Sequence, residues 1–183
     1  LSFVIGLDGI GSTGDNASPG NSSGSNKSPR RTSSRNIKVE ILDRSNQPVG
    51  GERTGTITYV PGTGKFTATV DLGTMTTGDY AVKVKSDGYL RKRVSSGITT
   101  ITAGITNNLP AVNLVTGDIN GDNKIDILDY NIIMSCSVFT KDSSGACNSN
   151  SNYRNLSNLD DNETVDQFDI NLFVRELTVQ NGD

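Results

Sequence analysis

Two twelve-residue windows hold the side chains best suited to chemistry. In 118–129, side-chain oxygens fall at the first, third, fifth, ninth and twelfth places, as Asp118, Asn120, Asp122, Asp126 and Asp129. Lys124, at the seventh place, offers its backbone carbonyl. In 158–169 the same places carry Asn158, Asp160, Asn162, Asp166 and Asp169, with the carbonyl of Thr164 at the seventh. A hard cation takes about six to eight oxygen ligands, and a tightly turning loop supplies them from alternate residues while the intervening side chains point away. Nine of the 20 acidic residues crowd into these windows, with Lys124 as the one basic residue among them. Carboxylates packed that closely repel each other unless a cation neutralises them. Two Ca2+ sites are therefore expected, the second weaker because only three of its ligands are carboxylates against four in the first.

The layout is that of an EF-hand loop, with two variations. The sixth place, where such loops use Gly for a sharp turn, holds Asn123 and Glu163. Asn tolerates the left-handed conformation better than Glu does. At the eighth place stand Ile125 and Val165, expected to pair with each other across a short β-bridge. Each window runs into an apolar segment of helical type, 127–136 and 168–177, in which Leu128 and Ile132, and Phe168 and Leu172, share a face at i, i+4. The C-terminal third is thus read as an internal duplication of loop-helix units.

The remaining composition narrows the function. The chain has no His, which removes the commonest general base and transition-metal ligand. Other acids, such as Asp8, Glu40, Asp43, Asp71 and Asp79, are scattered at turns, so no catalytic site is expected. The net charge of -3 conceals a division: residues 1–117 carry 13 basic and 8 acidic side chains, residues 118–183 carry 4 and 12. No apolar run approaches a membrane span. The acidic balance and the lack of Trp argue against nucleic acid. Cys136 and Cys147 flank a polar stretch and are read as a disulfide, which suits an oxidising, extracellular setting. The chain opens on Leu1 rather than Met, as expected of a protein whose leader was removed or of a fragment.

The elements that must position the loops begin with an alternating segment, 1–7. Leu1, Phe3, Ile5 and Leu7 lie on one face of an apparent strand, a segment able to complete its own sheet or to be donated to a neighbour's. Residues 8–36 are rich in Ser, Gly and Asn and read as a long loop or linker. From 37 to 115 the pattern is all-β, with short strands predicted at 37–42, 56–60, 65–72, 80–85, 89–95, 98–102 and 110–115 between Gly-, Pro- and Asn-containing turns. Regular short strands of this kind suggest a sandwich. The run Arg91-Lys92-Arg93 is read as a charged edge strand that blocks aggregation.

These residues carry a resemblance. Gly117-Asp-Ile-Asn-Gly-Asp with Ile125-Asp-Ile-Leu-Asp-Tyr, and Leu159-Asp-Asp-Asn with Val165-Asp-Gln-Phe-Asp-Ile, resemble the two repeats of a type I dockerin, which close their calcium loops with Asp as Asp129 and Asp169 do here. The upstream Gly78-Asp-Tyr-Ala-Val-Lys-Val…Gly88-Tyr is similar to Ig-like and carboxypeptidase-regulatory modules. Together they resemble an X-module–dockerin pair. The resemblance implies a mainly β protein with a small α module: an Ig-like β-sandwich over 1–115 followed by a dockerin-like calcium-binding domain over 116–183. In dockerins the two residues before the last ligand help bind cohesin. Here they are Ile127-Leu128 and Gln167-Phe168, unlike the Ser-Thr pair of the family and unlike each other.

The expected function is a secreted, non-catalytic structural protein. It is expected to assemble with copies of itself into a fibre or surface layer, by strand exchange through 1–7 and by calcium-stabilised contacts. The alternatives are an adaptor for a cohesin-like partner, or the C-terminal piece of a larger secreted polysaccharide-degrading enzyme.

Overall fold

The computed structural model of the chain describes residues 1–11, 32–95, 97–140, 145–162, 164–178 and 180–183. The alternation at the N-terminus forms β1 (Ser2–Leu7). It is followed by β2 (Ser34–Leu42), β3 (Arg53–Val60), β4 (Lys65–Thr69), β5 (Gly78–Lys85), β6 (Gly88–Tyr89), β7 (Lys92–Arg93), β8 (Thr99–Ile101), β9 (Val112–Leu114) and β10 (Thr116–Asp118). Among the described residues, one sheet runs in the order β7-β5-β2-β3-β4-β1-β9, with β8 on the free edge of β5. Its pairings are antiparallel except β1 with β9. The end strands β7 and β9 come into contact, so the sheet curls over into a sandwich-like body.

Period-two side chains fill the interior: Phe3, Ile5 and Leu7 from β1, Ile37 and Val39 from β2, Ile57 from β3, Phe66 from β4, Val82 and Val84 from β5, and Leu114 from β9. The rings of Tyr59 and Phe66 meet edge-on with centroids 5.3 Å apart. Leu1, Phe3, Ile5 and Leu7 are all buried. The chain therefore seats β1 in its own sheet, with Phe3 opposite Ala68 of β4 and Ile5 opposite Val112 of β9.

Three differences from the sequence reading have local causes. Residues 34–36 extend β2, and residues 8–11 fold back so that Ile10 bridges Leu7 and is buried; these residues do not belong to a linker. The rest of that stretch, 12–31, lies outside the described residues. The strand expected over 89–95 divides into β6 and β7. At the break Leu90 donates its N–H to the Val115 carbonyl and sends its side chain into a second apolar cluster. The Arg-Lys-Arg run does lie at a sheet edge, where β7 pairs with β5.

The second cluster is built by α1 (Ile127–Cys136) and α4 (Gln167–Glu176) around Ile119, Ile125, Ile133, Leu159, Val165, Leu172 and Phe173. Between them lie α2 (Ala146–Ser149) and α3 (Tyr153–Ser157), which the hydrophobic pattern does not announce. The Cys136–Cys147 disulfide joins the end of α1 to α2, with Cα atoms 5.0 Å apart.

The two clusters are joined along a broad front. β6 pairs with β10. Gly9, at φ +85°, lets the backbone approach so closely that a Cβ there would meet the Leu159 carbonyl oxygen at 2.3 Å. Arg175 of α4 contacts both oxygens of Asp8 at 3.0 Å and also pairs with Glu176.

Two outcomes follow from this packing. Ile5→Ala, deleting a fully buried side chain on a strand paired along both edges, is expected to cost about 2–5 kcal/mol in urea denaturation. Burial, and then the nearby Glu176 carboxylate, raise Asp8 from its ordinary 3.8 to about 6 against the pull of Arg175. The folded chain thus holds that proton more tightly than the unfolded chain does. The stability Asp8 adds is full below its ordinary value and is lost as pH rises through about 6. Asp8→Asn should flatten that part of the stability–pH curve.

Candidate metal centre

The two acidic windows fold into near-identical turns, and the cause is local. Short Asx side chains accept hydrogen bonds from backbone N–H groups two residues ahead. Asn120 accepts from Asp122 N at 2.9 Å and Asp122 from Lys124 N at 2.9 Å. In the second window Asp160 accepts from Asn162 N at 3.0 Å and Asn162 from Thr164 N at 2.9 Å. Left-handed backbone bends each loop: at Gly121 and Asn123 in the first, and at Asp161 in the second. Asn123, at φ 69°, takes the conformation its side chain tolerates. Glu163 lies outside the described residues.

Each loop ends in a capping box. Asp126 accepts from Leu128 N at 2.7 Å, and Asp129 reaches back to Asp126 N at 3.1 Å. Asp166 and Asp169 repeat this at α4, at 2.8 and 2.8 Å. The twelfth-place carboxylates also close the front of each loop. Asp129 Oδ1 accepts from Ile119 N and Asn120 N at 2.8 and 3.0 Å, and Asp169 Oδ1 from Leu159 N and Asp160 N at 2.6 and 3.1 Å. Both residues are fully buried. Burial pushes Asp129 above the ordinary carboxylate range against those N–H groups. Burial, and then the charge of Asp160, push Asp169 up to about 7.

The first place differs between the loops. Asn158 accepts from Asn162 N at 3.0 Å. Asp118 is completely buried; its Oδ2 accepts from Asn123 N at 3.1 Å and from Lys85 Nζ of β5 at 2.5 Å, while its Oδ1 has no partner.

Among the described residues, no three acids or thiols stand close enough together to grip a cation as they are. The carboxylates are turned onto backbone N–H groups instead. The donor set is nonetheless all oxygen, and Asp118 Oδ1 is a buried anion oxygen without a hydrogen bond. Those properties fit a hard cation such as Ca2+ in the first loop. In the second the donor types fit, with one fewer carboxylate.

The expected Ile125–Val165 bridge is not made. Ile125 N donates to Gln180 O at 2.9 Å, Lys124 bridges Asn181, and Gly182 N donates to Asn123 O at 3.0 Å. Val138 N, beyond α1, donates to Val165 O at 2.9 Å. Each loop thus pairs with the segment that follows the opposite helix. Ile127 and Leu128 are 64% and 53% exposed, while Phe168 is half-buried.

No protein-family model matches the chain, and no curated protein matches it. Among solved structures, the chain is similar to one chain of a type II cohesin–X-dockerin complex from Acetivibrio cellulolyticus, an N-terminal interface mutant. The TM-score is 0.53 and the identity 16%, covering 95% of this chain and 92% of that one. A C-terminal interface mutant of the same complex matches with TM-score 0.49 and 15% identity over 96% and 94%. At such identity the first likeness establishes fold, and the second adds no argument.

Asp129→Ala strips three backbone N–H groups of their acceptor at once and is expected to cost about 2–3 kcal/mol. Calorimetry on the metal-free chain reads this cost.

Proposed function

We propose that this protein is a secreted, non-catalytic assembly module whose C-terminal unit is stabilised by Ca2+ and docks a cohesin-like protein. The observation that carries the reading is the set of exposed apolar side chains at the two ends of α1. Ile127 and Leu128, at the tenth and eleventh places of the first loop and the start of α1, are large apolar side chains left open to solvent. Val138 and Phe139, just beyond the helix, are 60% and 59% exposed. Exposed apolar groups gathered at one element mark a contact surface. Supporting this are the likeness to a chain from a cohesin–X-dockerin complex, the oxygen-only donor sets, the absence of His, and a disulfide suited to an oxidising compartment.

In the first loop the cation would be held by Asp118, Asn120, Asp122, Asp126 and Asp129 with the Lys124 carbonyl. In the second it would be held by Asn158, Asp160, Asn162, Asp166 and Asp169 with the Thr164 carbonyl. Ca2+ would supply positive charge to the crowded carboxylates. Because the unfolded chain has no such site, binding would add directly to folding stability.

A second reading, assembly with copies of itself into a fibre or surface layer, is favoured by β1. This terminal strand fills a slot between β4 and β9, and a neighbour's copy would make the same main-chain hydrogen bonds.

One set of measurements separates the readings. With calcium, the chain should retain type I or type II cohesins in native gels, and EGTA should abolish the complex while lowering helicity and Tm. Ile127→Asp with Leu128→Asp should weaken binding more than about 30-fold without loss of fold. Retention of no cohesin, together with calcium-dependent oligomers that vanish when residues 1–7 are deleted, would favour self-assembly instead.

A further inference from the structure

The loops of the C-terminal unit do not face the sandwich as bare anions. Among the described residues, each receives one basic side chain from it. Arg35 of β2 reaches Asp161, at the fourth place of the second loop, at 2.8 Å. Lys85, the last residue of β5, reaches Asp118 Oδ2, at the first place of the first loop, at 2.5 Å, and the Gly121 carbonyl at 3.2 Å. The two contacts differ in chemistry. Asp161 lies outside the predicted ligand set, so Arg35 neutralises a bystander. Asp118 lies inside it, so Lys85 places a full positive charge on a ligand.

The pair is well buried: the Lys85 side chain is 11% exposed and that of Asp118 is not exposed at all. The ammonium occupies one oxygen of the carboxylate, together with Asn123 N, and leaves Oδ1 free. One oxygen of this predicted ligand is thus already engaged by a cation of the protein, while the other stays open to a metal.

We infer that Lys85 is a built-in counterion of the first loop, which lets the loop fold before calcium arrives and weakens the calcium it then binds. This rests on the calcium reading above. Two effects oppose each other. Holding Asp118 in one orientation favours a metal, and such outer-shell support is worth about tenfold to a hundredfold in affinity. A single positive charge a few ångströms from a divalent one, in a buried site, disfavours it by more than that. Repulsion wins. Lys85 also offsets one of the four ligand carboxylates, so the advantage of the first loop over the second in carboxylate count is cancelled. Because Lys85 belongs to β5, the charge state of the loop is tied to a strand of the sandwich.

The test is Lys85→Met, which keeps the apolar stem and removes the charge. Stepwise calcium affinities are measured on the full chain by competition with a fluorescent chelator, and Tm is measured in EDTA and in calcium. One of the two affinities should tighten on the order of tenfold, the other should hold, and Tm in EDTA should fall. Lys85→Arg, which keeps the charge, should stay near wild type. A Lys85→Met chain that is unfolded in EDTA and refolds on adding calcium supports the same role. If it folds in neither, Lys85→Gln reads the affinity change. Unchanged or weaker calcium binding in a folded, uncharged variant overturns the inference while leaving the calcium reading intact. A wild-type chain that binds no calcium overturns both.

Discussion

Among the described residues, four carboxylates without solvent exposure, Asp118, Asp129, Asp161 and Asp169, set the terms for the rest of this molecule. An anion out of water is costly unless hydrogen bonds or opposite charge replace its hydration. The chain answers in two ways. The twelfth-place residues collect backbone N–H groups from three positions each, which forces both loops into the same tight course and starts both helices at their caps. The first- and fourth-place residues draw in Lys85 and Arg35 from the β-sheet, which fixes where the sandwich must lie. The join between the β and α parts is thus the place where buried negative charge is compensated, and the pairing of β6 with β10 runs beside it.

Much of this arrangement was legible in the residues, because the dominant signals are local. Alternation marked β1 through β5 to within a few positions, and the i, i+4 apolar pairs marked α1 and α4. The Asx spacing marked both loops, and two cysteines in a polar setting gave the disulfide. Signals that depend on distant partners were not legible. Leu90 reads as one more strand residue until it is seen to enter the second cluster. α2 and α3 are short and polar, held by the disulfide and by packing rather than by amphipathic pattern. Nothing in the spacing of Lys85, 33 positions before Asp118, announces their contact. The +5 and -8 halves did hint that opposite charges would meet, but not through which residues.

Position eight of the loops shows a further limit of pattern. Ile125 and Val165 are apolar and matched, as they would be in a loop pair bridged to itself, and both are buried in one cluster. Their side chains obey the pattern while their backbones follow another rule. The strand-like flank of each loop is filled by a segment from elsewhere in the chain. The segments that pass are those leaving the opposite helices, at Val138 and at Gln180. Side-chain character records burial; it does not record the partner of a backbone N–H.

That crossing has a consequence for the order in which the chain becomes structured as it is synthesised. The first loop is complete in sequence at Asp129, yet its edge is closed by residues 180–182. Asp183 donates its N–H to Arg91 O and accepts from Arg93 N. A nascent chain that has released the first loop and α1 still lacks the strip that seals them, and the edge at β7 still lacks its cap. The edge of the earlier repeat is thus sealed only once the later one has been made, although the first loop leaves the ribosome about forty residues ahead of the second.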